Sequence, residues 1–280
     1  IRPMINLKTG SGLRQMRAVA EKSVELVLAF GGTTSGEHGE GLVRGEFSKR
    51  LFGPTLTEAF RQVKAAFDPA GLMNPGKVVD VGPMDDPDTL RYSLNYQTAY
   101  ELRETRLDWS TDGGFAGAVE MCNGAGVCRK EGTGVMCPSY MATLDEAHST
   151  RGRANALRLA MTGKLGEHGL ADERVYDVLD LCLSCKACKA ECPSLVDMAR
   201  LKTEFTAAYY DTHGVPLRSW VFGHIHRLNQ IGSRFAPLAN LVMRSAVGRW
   251  LFARLGVATQ RQLPLFARQR FSVWARRHYK

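Results

Sequence analysis

Seven cysteines carry the most specific chemistry in this 280-residue chain. Four of them, Cys182, Cys185, Cys188 and Cys192, stand in LCLSCKACKAECPS, with Pro193 behind the last. The spacing C-x2-C-x2-C-x3-C-P is that of iron–sulfur ligands. Three thiolates on one tight loop take three corners of a cuboidal cluster, and the turning chain carries the fourth to another cluster. Zinc sites also use C-x2-C pairs, but those pairs stand apart in sequence and do not merge into a triplet. The spacing favours iron–sulfur over zinc.

A second group precedes the first: Cys122 and Cys128, then Cys137-Pro138 nine residues on. A cysteine at Ala125 would complete a C-x2-C-x2-C run, and alanine cannot bind iron. Where two groups share a fold, the fourth cysteine of each ligates the other group's cluster. That rule joins Cys137 to Cys182, Cys185 and Cys188, a four-thiolate set suited to [4Fe–4S]. It leaves Cys122, Cys128 and Cys192 as a three-thiolate set. Three outcomes are open there: a [3Fe–4S] cluster, a second [4Fe–4S] cluster with a non-cysteine ligand, or none.

Helices must position these loops. Ser149 caps a helix over 151–161 that Gly163 ends, and Asp172 caps one running through Val175, Val178 and Leu179 into Cys182. Ser194 opens another, with Met198, Leu201, Phe205 and Tyr209 inward and Gly214 as its stop. Arg151 and Arg153 either offset the charge of a reduced cluster or form a solvated helix start. In the N-terminal part, a helix is expected over 16–30, ending at Gly31-Gly32. The loop SGEHGEG follows; it is not a dinucleotide fingerprint, since Arg44 stands where a third glycine is needed. A second helix begins near Pro54, with Leu56, Phe60, Val63 and Phe67 as a buried stripe. The turn at 72–76 is expected to feed a short strand ending at Val79, and the Asp-, Pro- and Gly-rich stretch beyond it reads as a linker.

SGEHGEG followed by FDPAGLMNPGKVV resembles the C-terminal part of the FAD-linked oxidases that act on D-2-hydroxy acids, the D-lactate and D-2-hydroxyglutarate dehydrogenases. Coupled to the cysteines, the chain is similar to fused members that carry flavin and iron–sulfur domains together. The resemblance implies that Glu37 helps hold a divalent, zinc-like metal, that His38 faces the substrate as a catalytic and cofactor-side residue, and that Asn74 contacts the flavin ring. By residues alone, a loop histidine is the favoured reading of His38, and Asn74 is a turn former before proline. The family's H-x6-H histidines and its FAD-binding domain are expected upstream, and a further cysteine-rich domain downstream. The C-x5-C spacing of Cys122 and Cys128 resembles the helical ferredoxin domain of succinate dehydrogenase, which implies the three-iron alternative.

The expected fold class is α+β: an oxidase cap segment at 1–80, a linker at 81–115, an alpha-helical ferredoxin domain at 116–214 and a basic helical extension at 215–280. The implied reaction oxidises a D-2-hydroxy acid to the 2-oxo acid, with electrons passing from FAD through the clusters to a quinone or carrier. The alternative is an electron-transfer or assembly subunit without catalysis of its own.

Charge adds a further expectation. Residues 212–280 hold eleven Arg and one Lys with no Asp or Glu, leaving 25 basic against 28 acidic residues, a net −3, in the other 211. Amphipathic helices are expected at 216–230 and 237–255, with Trp220, Ile225 and Leu228 as apolar residues in the first and Leu238, Leu241, Val242 and Leu251 in the second. Their partner is the ferredoxin core, a membrane surface or an acidic face; nucleic acid is disfavoured because no recognition motif accompanies the charge. The chain begins at Ile1 rather than methionine and reads as a piece of something longer. No apolar run approaches the roughly 20 residues of a membrane span. Clustered cysteines predict metal ligation in a reducing, cytoplasmic compartment, with peripheral contact at the inner membrane face as an extension of that reading.

Overall fold

The computed structural model describes residues 3–102, 104–258, 260 and 263–279. The chain divides into two compact units at Thr98, inside the stretch read as linker. Ile1 and Arg2 lie outside the described residues.

The first unit carries α1 (Gly10–Ala29), α2 (Gly41–Arg44) and α3 (Ser48–Phe67). Thr9 caps α1, its hydroxyl accepting from Gly12 N–H at 3.1 Å, so the helix starts six residues before the expected 16. The φ of 72° at Gly53 breaks α3, and the helix restarts at Pro54, where a proline costs no hydrogen bond. The core of this unit is small: Val24, Phe47 and Met84, with Met16, Ala20 and Leu51 against it. Leu56, Val63 and Phe67, expected in a buried stripe, are exposed, as are Val19 and Phe30 of α1. An apolar stripe is buried only if a facing element exists, and the described residues of this unit supply none for these side chains.

The described residues contain no β-strand, so they are helical rather than α+β. The segment expected as a strand is a turn, with φ of 65° at Val78 and 52° at Asp80, outside the extended region. A single strand without a partner would leave its ladder groups unpaired. Asp68 organises the turn instead. Its carboxylate oxygens accept from the N–H groups of Leu72 at 2.8 Å and Met73 at 2.9 Å.

The second unit is built on α4 (Gly114–Glu120), α5 (Pro138–Thr143), α6 (Thr150–Met161), α7 (Glu173–Asp180), α8 (Ala187–Glu191) and α9 (Met198–His213). The central α6 packs against α4, α7 and α9, and Ala154, Leu157, Ala160 and Met161 on it are fully buried. Ser149 and Asp172 cap α6 and α7 as their residue types predict, accepting from Gly152 N–H at 2.8 Å and Arg174 N–H at 2.9 Å. The cap of α9 is Asp197 rather than Ser194, accepting from Arg200 N–H at 3.1 Å. On α9, Glu204 is buried in the same stripe as Leu201 and Phe205. Its carboxylate accepts from Arg106 N–H at 2.6 Å, Leu107 N–H at 2.9 Å and Trp109 Nε1 at 3.0 Å, tying residues 106–109 to the helix.

The basic extension forms α10 (Leu217–Gly223), α11 (Ile225–Arg234), α12 (Ala236–Arg244), α13 (Ala246–Arg254) and α14 (Phe271–His278). The two long helices expected are four short ones: Ser245 caps α13 and so divides the second, and the first is interrupted at His224 between α10 and α11. Trp220, Ile225, Leu238, Leu241, Val242 and Leu251 are exposed; Leu228 is half-buried.

Candidate iron–sulfur centres

Both cysteine loops leave the C-terminal end of a helix. Cys122 lies two residues past α4 and Cys182 two past α7. Each loop then alternates into the left-handed region at matching places: Gly124 and Gly126 in the first, with φ of 80° and 77°, and Ser184 and Lys186 in the second, with φ of 52° and 62°. Such alternation turns successive N–H groups inward, as in backbone nests that receive anionic clusters. Ala125 occupies in the first loop the place of Cys185 in the second.

Two hollows result. One is lined by Cys182, Cys185, Cys188 and Cys137, the other by Cys122, Cys128, Cys192 and Ala125. Thus Cys137 faces the later loop and Cys192 the earlier one, the same two sets to which the spacing rule led. Lys202 Nζ donates to the carbonyls of Asp180 and Cys182, each at 2.9 Å, fastening the later loop to α9. Glu191, beside Cys192, accepts from Val135 N–H at 2.7 Å and pairs with Lys130, which holds the fourth cysteine against the earlier loop.

Among the described residues no three His, Cys, Asp or Glu side chains converge closely enough to hold a single ion. The cysteines line the two hollows. Cys122, Cys128, Cys137 and Cys188 are buried, Cys182 and Cys192 half-buried and Cys185 exposed. None is in a disulfide.

The surroundings of the two sets differ. At Cys137, burial acts to raise the thiol pKa. The Ser139 hydroxyl, Tyr140 N–H, the Arg153 charge and Thr150 outweigh it, and the pKa is lowered. Burial is the largest influence at Cys128 and Cys188 and pushes both thiols up. Arg153 is fully buried: Nη1 donates to Cys137 Sγ at 3.4 Å, Nε donates to Val178 O at 3.0 Å, and Nη2 has no partner. Arg151 offers Cys128 Sγ its main-chain N–H at 3.3 Å, while its guanidinium forks onto Glu146 at 2.7 and 3.0 Å. A buried cation with an unused donor beside four thiols fits an anionic cluster better than an apolar pocket. Sequence reasoning named both arginines but had no signal for which one is buried.

The remaining predicted site residues lie in the first unit. Glu37 and His38 sit on the exposed loop between α1 and α2, with His38 Nε2 2.8 Å from Glu37 Oε1. Gly39 and Gly41, with φ of 73° and 56°, turn that loop, and Thr34 Oγ1 donates to Glu40 at 2.7 Å across it. Asn74 is exposed in the turn that Asp68 organises, with φ of 52°. Asp68 went unrecognised in the sequence, where it reads only as a helix end.

Comparison with known proteins agrees with this division. Residues 1–78 match the FAD linked oxidases, C-terminal domain, and residues 118–196 the 4Fe-4S dicluster domain. The chain is similar to D-2-hydroxyglutarate dehydrogenase of Pantoea ananatis, at 30% identity over 78% of this chain and 24% of the relative. The protein of that name from Pseudomonas putida is 28% identical over 98% of this chain and 30% of its own length. That from Escherichia coli is 27% identical over 90% and 28%. The chain therefore spans under a third of the length of these relatives. No solved structure matches it. By these matches the chain joins a C-terminal domain of the FAD-linked oxidases to a 4Fe-4S dicluster domain.

Proposed function

We propose that this chain is the electron-relay part, and one wall of the substrate site, of an FAD-linked dehydrogenase that oxidises a D-2-hydroxy acid of the D-2-hydroxyglutarate or D-lactate class to the 2-oxo acid. The observation that carries the reading is the partition of seven cysteines between two hollows, each completed by a cysteine from the other group. Bound FAD supplies hydride acceptance, and bound clusters supply one-electron transfer to a quinone or carrier protein. Cys137, Cys182, Cys185 and Cys188 hold [4Fe–4S]. Cys122, Cys128 and Cys192 hold [3Fe–4S], or a second [4Fe–4S] whose last ligand is not cysteine.

In the first unit, His38 takes the hydroxyl proton of the substrate, and Glu37 orients the imidazole and contributes one oxygen to a divalent metal. Asn74 contacts the flavin ring. The other metal ligands and the FAD-binding domain come from the rest of the polypeptide, consistent with the fraction of the relatives that this chain spans. The arginine-rich extension, with Trp220 and Trp250 exposed, suits an anionic surface such as the inner face of a membrane.

A second reading, an electron-transfer or assembly subunit, is favoured by the exposure of Glu37 and His38, at 83% and 75%, which leaves the pair without walls in this unit. Flavin content and turnover separate the two. Chain purified anaerobically is expected to hold iron and sulfide and to oxidise a D-2-hydroxy acid only when flavin is also bound. Iron and sulfide with neither flavin nor turnover would leave the relay function and remove the catalytic one from this chain.

A further inference from the structure

We propose that Arg153 sets the reduction potential of the centre held by Cys137, Cys182, Cys185 and Cys188, as a fixed buried charge that favours its reduced state. The proposal rests on the reading that these four thiolates bind a cluster.

Arg153 is 0% exposed and lines the hollow of this set. No carboxylate among the described residues forms an ion pair with it; its donors meet Val178 O and Cys137 Sγ, and Nη2 meets nothing. A guanidinium cannot shed its proton to escape burial, so its charge must be balanced by a neighbouring anion. Four thiolates around an iron–sulfur core are such an anion. Their net negative charge grows by one unit when one electron arrives from a donor, with no proton or bond transferred. The buried cation stabilises the more negative state, and the stabilisation is strong where water cannot screen it.

Arg151, one residue from α6's other wall-lining residue Thr150, gives the contrast. Its charge is shared with Glu146 through two hydrogen bonds, and its remaining Nη1 donates to Gly124 O at 3.4 Å, while Cys128 Sγ accepts from its main-chain N–H. Arg153 is also held still: α7 takes Nε through Val178 O, while Cys137, before α5, takes Nη1. A charge fixed between two helices does not reorganise when the electron arrives.

The test is an anaerobic redox titration followed by electron paramagnetic resonance, with iron and sulfide counts, on the whole chain as wild type, Arg153→Gln, Arg153→Lys and Arg151→Gln. For Arg153→Gln the reduction equilibrium constant of the four-iron signal is expected to fall at least tenfold, about 59 mV for one electron. Arg153→Lys, which keeps the charge but cannot span both acceptors, is expected to fall about threefold. Arg151→Gln is expected to leave that signal within twofold of wild type. Equal potentials in wild type and Arg153→Gln overturn the proposal. Should Arg153→Gln take up no iron, Arg153→Met, which removes the charge while filling the buried space with an apolar chain, decides, with a lowered potential supporting the role and an unchanged one overturning it. Wild-type chain without iron and sulfide would instead overturn the cluster reading beneath it, a different result from loaded chain indifferent to residue 153.

Discussion

The loops 122–128 and 182–188 follow one backbone path with different side chains. Each leaves a helix, passes through two left-handed residues and ends in a short helical turn. The earlier loop takes the left-handed positions with Gly124 and Gly126. The later one uses Ser184 and Lys186, which costs roughly 1–2 kcal/mol per residue relative to glycine. Cys185 stands between those two residues, and the proposed cluster ligation there would give the later loop a reason to hold its shape. The comparison separates two layers of information. Backbone turns make the cradle, while the side chain at one place, Ala125 or Cys185, and the charge beside it, Arg151 paired or Arg153 unpaired, decide what the cradle holds.

The largest effect is expected at the buried Cys188: Cys188→Ala should abolish the four-iron resonance and remove about four irons per chain, leaving the other centre intact. Glu204→Ala acts on the scaffold both loops share. It leaves Arg106 N–H, Leu107 N–H and Trp109 Nε1 without their common acceptor and should lower unfolding stability by about 3 kcal/mol in urea titrations followed by circular dichroism. Ala125→Cys makes the loops alike; bound iron should rise by about one per chain, and the three-iron resonance should give way to a second four-iron signal on reduction.

The smallest effect is at Asp172, which caps the helix feeding Cys182. Asp172→Ala should cost about 1 kcal/mol. Arg174, with the burial that opposes it outweighed, holds the Asp172 pKa below its ordinary value. A depressed carboxylate contributes stability above its unfolded pKa, near 3.9, and loses it as pH falls through the folded value. The wild-type advantage over Asp172→Ala should therefore be full at pH 6 and shrink below about pH 4.

What the residues revealed by themselves was local. Cysteine spacing, the Ser149 and Asp172 caps and Gly163 or Gly214 after a helix each act within a few positions, so type and order suffice. Glu204 was not legible as an anchor because its partners lie 95 to 98 positions away in sequence. Arg153 was legible only as one of two arginines, since burial depends on where α7 and α5 close over it. The strand expected before Val79 failed for the same reason in reverse: turn residues and a β-branched pair favour extension, but a strand needs a neighbour that the described residues do not supply. The exposed stripe of α3 likewise records a periodicity without a facing surface.

The exchange of fourth cysteines is the central claim, and two substitutions compared side by side test it most directly. Anaerobically purified Cys137→Ala and Cys192→Ala chains would be measured by electron paramagnetic resonance with iron and sulfide counts. The account predicts that Cys137→Ala disturbs the four-iron centre of the 182–188 loop and spares the other, whereas Cys192→Ala abolishes the centre of the 122–128 loop and spares the four-iron signal. Loss of the four-iron signal in Cys192→Ala, with Cys137→Ala leaving it unchanged, would contradict the account.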